Sequence, residues 1–378
     1  MGCPGSRVYN QTMRRPVTEK QIQRVLGMVR DLFVTDAYYV HGSKLALSLR
    51  YRFEPARSLE LLRDRLELSG YEFELSESED LVLVTLDPRR KLKIPKLNII
   101  LFFVTLLTVY TIPVAVNEGL LGGLDRSFSG VLAATLEQLQ AGRGLVFTVA
   151  LMSILLVHEM GHFLASRRRN IVTSWPFFIP APNFIGTFGA IIKSKSPFWN
   201  RRDLIEVGAA GPVAGWIVAL AWLAYGIAQS QVFTIDQAPV DRMRLGDPLV
   251  FGWMVTLIKG ELASNQILMA GEAATAAWVG LLVTAINLLP IGQLDGGHVL
   301  YGLTREKQHL LGWIAMVILF GLGFQSPLWW VFAAMGLIFK VPHPPTIDDT
   351  RRPSRASIVL GIFAIVIFVL SFTPAPFQ

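Results

Sequence analysis

RGLVFTVALMSILLVHEMGHFLAS, residues 143–166, decides the architecture. At ~1.5 Å of rise per residue this apolar stretch is long enough to cross ~30 Å of hydrocarbon as a helix, yet His158, Glu159 and His162 sit near its end. Ionisable side chains at membrane depth cost on the order of 2–3 kcal/mol or more each without a partner, so they mark a functional site by default. Positions i and i+4 share one helical face. The H-E-x-x-H spacing therefore lets both imidazoles present a ring nitrogen to one Zn²⁺, with Glu159 beside the open coordination position. Zinc lowers the pKa of bound water toward ~7, and Glu159 is placed to take that proton and later deliver it to a leaving amine.

Outward from this helix the chain keeps the same character. Of its 378 residues 52% are hydrophobic and 17% charged, against about 25% charged in a soluble domain, which reads as a membrane protein. The lone cysteine, Cys3, excludes a disulfide scaffold and any zinc site built on two thiolates, so a metal must be held mainly by His, Asp or Glu. Apolar runs near 97–117, 143–166, 204–228, 271–291, 309–325, 327–340 and 357–373 predict about six or seven spans; the fifth and sixth are short enough to form one broken hairpin. Residues 175–198, rich in Pro and Gly and without helical rhythm, suit a re-entrant segment whose backbone is satisfied by surrounding protein.

The region before the first span is different. Residues 1–96 are dense in charge and predict a separate α+β domain. Thr18 to Gln21 offers a capping box, followed by Ile22, Val25, Leu26, Val29, Leu32 and Phe33 on one helical face. Leu45, Leu47, Leu49, Tyr51 and Phe53 alternate with small or charged residues as in a strand; Pro55 to Gly70 brackets a second helix, and 71–75 with 81–86 suggest a hairpin. Residues 1–6 formally fit a myristoylation pattern, a chance match in a chain already anchored by its spans.

The net charge of +7 does not call for nucleic acid once its placement is followed. Eighteen Lys and Arg, including Arg89, Arg90, Lys91, Lys93, Lys96, Arg167 to Arg169 and Arg201, fall in loops on one side of the predicted spans; five, Arg126, Arg143, Arg242, Arg244 and Lys259, fall on the other. The positive-inside rule then puts the N-terminal domain in the cytosol and the C-terminus outside.

A tetrahedral catalytic zinc wants a third protein ligand. Asp295 follows a stretch, Asn287-Leu-Leu-Pro-Ile-Gly-Gln-Leu294, whose Pro and Gly unwind the end of the fourth span. Spans two and four run in the same direction, so their last turns share one depth, and Asp295 can complete a set with His158 and His162. The alternative reading is an aspartate in an ordinary Leu-Asp-Gly-Gly turn.

These residues together resemble the site-2 protease family of intramembrane zinc metalloproteases. The resemblance covers roughly residues 97–345. It rests on H-E-x-x-H in an apolar helix, Gly186-Thr187-Phe188-Gly189-Ala190, the Gly208 to Gly215 segment, and Leu294-Asp295-Gly296 with Asn287 upstream. It implies a polytopic helical bundle, mainly α, with a membrane-embedded β-segment. It also implies one Zn²⁺ per chain on His158, His162 and Asp295, and Glu159 as general base. Asn287 would contact the substrate backbone or the developing oxyanion, the alternative being a helix-packing amide. Gly186 to Ala190 would offer an open strand edge to an unwound substrate, the alternative being a structural loop.

The expected activity is therefore endopeptidase cleavage in or near transmembrane segments, with a membrane protein as substrate, the lipid bilayer as setting and the active site toward the cytosolic side. A non-catalytic zinc-binding scaffold or sensor, and a transporter with an ion path, are the rivals. Glu159 argues against the first, because ligation alone does not require that carboxylate; the second lacks an evident inverted repeat. Gly211-x-x-x-Gly215 is explained by helix packing, Glu206 and Glu272 are expected at the interface, and His298 is read as a bystander or an alternative ligand. His343-Pro344-Pro345-Thr346, present in some relatives as the resemblance suggests, has no role in this reading.

Overall fold

The computed structural model describes residues 17–41, 43–78, 81–87, 94–122, 127–169, 171–195, 198, 200–237, 245–338, 340–346 and 348–377. Cys3, the 1–6 pattern and seven of the basic residues counted above (Arg89, Arg90, Lys91, Lys93, Arg126, Arg242, Arg244) lie outside the described residues. The chain divides into two compact units.

The first unit comprises the chain to Lys93 together with Asn170–Thr173 and Ser194–Pro197. It contains α1 (Glu19–Val29), β1 (Phe33–His41), β2 (Lys44–Tyr51), α2 (Pro55–Ser69), β3 (Glu72–Ser78) and β4 (Leu81–Asp87), with the strands in one antiparallel sheet ordered β1-β2-β4-β3. Alternation explains the core: Leu45, Leu47 and Leu49 of β2 and Val82, Val84 and Leu86 of β4 bury one sheet face against Val25, Val29, Leu62 and Leu66 of the two helices. Gln21 Oε1 accepts from Thr18 N at 2.8 Å, so the capping box forms, and Gly70 closes α2 at φ 73°. The expected helical face ran too far. Helix α1 ends at Val29, and Phe33 instead opens β1, an edge strand exposed along most of its length whose residues show no apolar alternation to read. Buried Arg65 grips Asp31 with two 2.7 Å bonds and donates to Lys195 O at 3.1 Å; Val172 joins the same core.

The second unit holds α3 (Lys96–Gly122), α4 (Phe128–Gln140), α5 (Leu145–Arg168), the hairpin β5 (Phe177–Pro180) and β6 (Thr187–Ile191), α6 (Arg201–Gln229), β7 (Gln231–Thr234), α7 (Leu249–Lys259) and β8 (Gln266–Met269). It continues through α8 (Glu272–Asn287), α9 (Asp295–Thr304), α10 (Lys307–Leu322), α11 (Leu328–Ile338) and α12 (Arg355–Ser371). All seven apolar runs are helical, but the count of six or seven spans meets three helices long and apolar enough to cross a membrane, α3, α5 and α6, among the described residues. The others are short: the 16 residues of α8 rise ~24 Å, less than the ~30 Å of a bilayer core. Helices α3, α10, α11 and α12 leave Phe103, Leu107, Val317, Phe320, Ile338 and Val359 exposed, an apolar surface too extensive for a protein bathed only in water. Helix α7 was not foreseen because its apolar run is too short to register as a span.

At the centre of this unit α5 packs on α6 and α8, and their facing sides bury Leu151, Ile154, Leu155, Ala219, Leu223, Ala277 and Leu281. The apolar loop predicted as re-entrant carries β5 and β6, which rest on α3. Asn98 Nδ2 donates to Pro176 O at 2.8 Å, Thr108 Oγ1 donates to Gly186 O at 2.7 Å, and a Cβ on Gly186 (φ 86°) would come within 2.6 Å of Val109 Cα.

Candidate metal centre

Helical spacing brings His158 and His162 of α5 together as the motif requires. Their Nε2 atoms are 3.2 Å apart, and Asp295 Oδ2 lies 3.3 Å from the first and 3.1 Å from the second. Tetrahedral coordination with 2.0–2.1 Å bonds separates ligand atoms by about 3.3 Å, so the triangle has the size of one face of a zinc site. The donor chemistry agrees. His162 Nδ1 is 2.7 Å from Val207 O; a carbonyl only accepts, so this nitrogen carries a proton and the lone pair of a neutral ring is left on Nε2, aimed at a carboxylate oxygen and a second imidazole nitrogen. Three electron-rich atoms at such range repel one another unless a positive centre, a metal ion or a proton, lies among them. Zinc fits the residues present.

Close helix packing makes the triangle possible. A Cβ on Gly211 of α6 would overlap His162 Nε2 itself, one on Gly215 would lie 2.9 Å from His158 Cβ, and one on Gly161 of α5 would lie 2.5 Å from Ala210 O. The Gly211-x-x-x-Gly215 pair is thus a packing device, as expected, but what it packs against is the imidazoles. Asp295 comes from a turn rather than a helix interior. It opens α9 just after the chain leaves α8, and Gly296 and Gly297 press so closely on Leu288 O and Gly292 O that neither position has room for a Cβ.

The remaining candidates surround the triangle. Glu159 is 5% exposed and follows His158 on the same helix. Asn287, the last residue of α8, brings its amide nitrogen to 3.4 Å from His158 Nε2. His298 is not among the grouped donors: its Nδ1 is 2.6 Å from His343 Nε2. Glu206 and Glu272 bond within the protein instead of simply reaching an interface. Glu206 accepts from Arg169, Arg202 and Ser357, while Glu272 accepts from the backbone of Gly144 at 2.8 Å and Phe147 at 3.3 Å, capping the start of α5. That cap has no sequence signal, because donor and acceptor are more than a hundred residues apart.

In the Gly186 to Ala190 segment Thr187 and Gly189 are buried and Phe188 is 72% exposed. Strand β6 pairs only with β5 among the described residues, leaving its other edge open. The register jumps so that Phe188 and Gly189 face Ile179 alone, and Gly189 takes φ 93°, a glycine bulge that Thr187 Oγ1 supports by accepting from Gly189 N at 2.9 Å.

A family model described as peptidase family M50 matches residues 146–322. The protein described as probable zinc metalloprotease EGY2, chloroplastic, of Arabidopsis thaliana is 27% identical over 99% of this chain and 68% of its own length. Its namesake in Oryza sativa subsp. indica is 29% identical over 86% of this chain and 60% of its own length. Probable zinc metalloprotease EGY1, chloroplastic, of Oryza sativa subsp. japonica is 32% identical over 58% of this chain and 39% of its own length. The chain therefore spans roughly two thirds or less of these relatives. No solved structure matches it. His158, Glu159, His162, Asn287 and Asp295 all fall inside the matched stretch, and over that stretch the chain is similar to peptidase family M50, the site-2 protease family.

Proposed function

We propose that this protein is an intramembrane zinc metalloendopeptidase that hydrolyses peptide bonds in or near transmembrane segments of other membrane proteins. The observation that carries the reading is the His158, His162, Asp295 triangle with Glu159 beside it, borne by a helix long and apolar enough to cross a membrane. Zinc held by the three side chains, one ion per chain, would acidify a bound water and polarise the scissile carbonyl. Glu159 takes the proton from the attacking water and passes it to the leaving nitrogen. Asn287, with its amide beside His158, donates to the substrate backbone or to the oxygen that gains charge.

A helical substrate shields its peptide bonds, so it must unwind before attack. The open edge of β6 offers replacement hydrogen bonds by strand addition, with Phe188 exposed to meet a substrate side chain. Water must also reach the site from an aqueous face, because the bilayer core supplies none. The excess of basic residues in one set of loops supports a cytosolic N-terminal unit, an active site toward that side and an outside C-terminus.

The test is a pair of substitutions in the full chain in detergent or nanodiscs. Glu159→Gln is expected to keep stoichiometric zinc by elemental analysis while cleavage of a reporter span is lost; His158→Ala loses both. Cleavage that persists in the Glu159→Gln protein would discard the mechanism.

A further inference from the structure

We propose that Gln308 and the His343-Pro344-Pro345-Thr346 segment form a brace that holds Asp295 at the metal, which makes Gln308 and His343 positioning residues for the site. The inference rests on the reading that His158, His162 and Asp295 bind zinc. Asp295 needs such support because it sits at the start of a ten-residue helix, beyond the irregular stretch from Leu288 to Leu294, whose course is not set by helical hydrogen bonding alone.

Gln308, at 1% exposure, uses both amide hydrogens and its carbonyl oxygen on backbone. Nε2 donates to Pro290 O and to Val341 O, each at 3.1 Å, and Oε1 accepts from His343 N at 2.9 Å. Val341 O also accepts from Gly292 N at 2.8 Å. One buried amide thus ties the turn before Asp295 to the chain after α11. A second attachment grips α9. His343 Nδ1 lies 2.5 Å from Pro344 O, so it is the protonated nitrogen, and the neutral ring's Nε2 accepts from His298 Nδ1 at 2.6 Å. His298 follows Asp295 by three positions and Tyr301 by six, which puts all three along one side of α9. Tyr301 stacks on His343 with ring centroids 4.8 Å apart and donates to Asp349 at 2.5 Å, and Thr346 donates to the same carboxylate.

The arrangement gives the His-Pro-Pro-Thr segment its chemistry. The imidazole is an acceptor for α9, the two prolines stiffen the backbone between His343 and Thr346, and the carbonyl of the first proline sets the histidine tautomer. Gln308 lies within the stretch matched by the family model, whereas Val341 to Asp349 lies beyond it.

Zinc affinity of the full-length protein in nanodiscs, measured by chelator competition, tests the brace. His343→Phe and Gln308→Leu are each expected to weaken zinc binding about tenfold or more, the low end of the range for residues that orient metal ligands. His343→Gln, whose Oε1 can still accept from His298, is expected to stay within about 1.5-fold of wild type, far from the roughly tenfold loss of the disruptive variants. A part that only adds stability would lower the unfolding temperature of the metal-free protein and leave the affinity of the folded fraction unchanged. Unchanged affinity in folded His343→Phe and Gln308→Leu overturns the brace while leaving the function reading intact. Wild-type protein that binds no stoichiometric zinc overturns both. Should the two disruptive variants fail to fold, Tyr301→Phe decides: a loss of about threefold supports the brace, and wild-type affinity refutes it.

Discussion

The two halves of the metal centre are built on different principles. His158 and His162 ride one uninterrupted helix, so their separation follows from the pitch of α5 and needs only room, which the glycines of α6 provide. Asp295 arrives on an irregular turn, and its place depends on contacts from residues as distant as Val341. Ligands on regular helix are specified locally; a ligand on a turn is specified by whatever holds the turn.

The contrast can be broken from the helical side first. Gly211→Val puts a branched side chain where His162 Nε2 lies, and zinc binding is expected to fall about 100-fold or more, with overpacking costing a further ~1–3 kcal/mol of stability. Competition with a chelator and thermal unfolding in the same detergent check both; a variant that still binds zinc like wild type would show that α5 and α6 separate freely. A smaller effect sharpens the contrast. Glu272→Ala removes the cap on α5 at the end far from the histidines and is expected to lower stability by about 0.5–2 kcal/mol while leaving zinc affinity within about twofold, since helical pitch survives the loss of a cap.

The smallest effect concerns the turn side. Burial opposes charge on Asp349, but hydrogen bonds donated by Thr346 and Tyr301 outweigh it and hold the carboxyl below its ordinary pKa. A depressed folded pKa means the contribution is complete above the unfolded value of about 4 and is lost as pH falls through the folded one. The metal-free wild type is expected to lose stability more steeply below about pH 4 than Asp349→Asn, by unfolding temperature across that range; identical slopes would remove Asp349 from the brace.

The same division governs what could be read from the sequence. The imidazole pair was legible because i and i+4 are always neighbours on a helix, and the seven apolar runs because each is helical in its own right. The N-terminal sheet was legible where one face is buried, in β2 and β4, and illegible in β1, where Val34 to His41 face mostly solvent. Asp295 was legible through the shared direction of two helices and through family likeness. Val207, Gln308 and Glu272 were not: each acts on a partner at least 18 residues away, and an amide or a carboxylate in an apolar helix does not announce which backbone atom it will meet. The number of spans was not legible for a related reason, since apolar runs that lie against other helices need not each reach across a bilayer.

Helix α8 touches α5 at both of its own ends, through Glu272 on Gly144 and Phe147 and through Asn287 beside His158. The cap is the firm fastening; at the other end the Asn287 amide only lies 3.4 Å from the imidazole nitrogen. If the proposed activity holds, a client entering sideways from lipid would have to part α5 from α8 at the cost of that cap, or pass by other parts of the molecule.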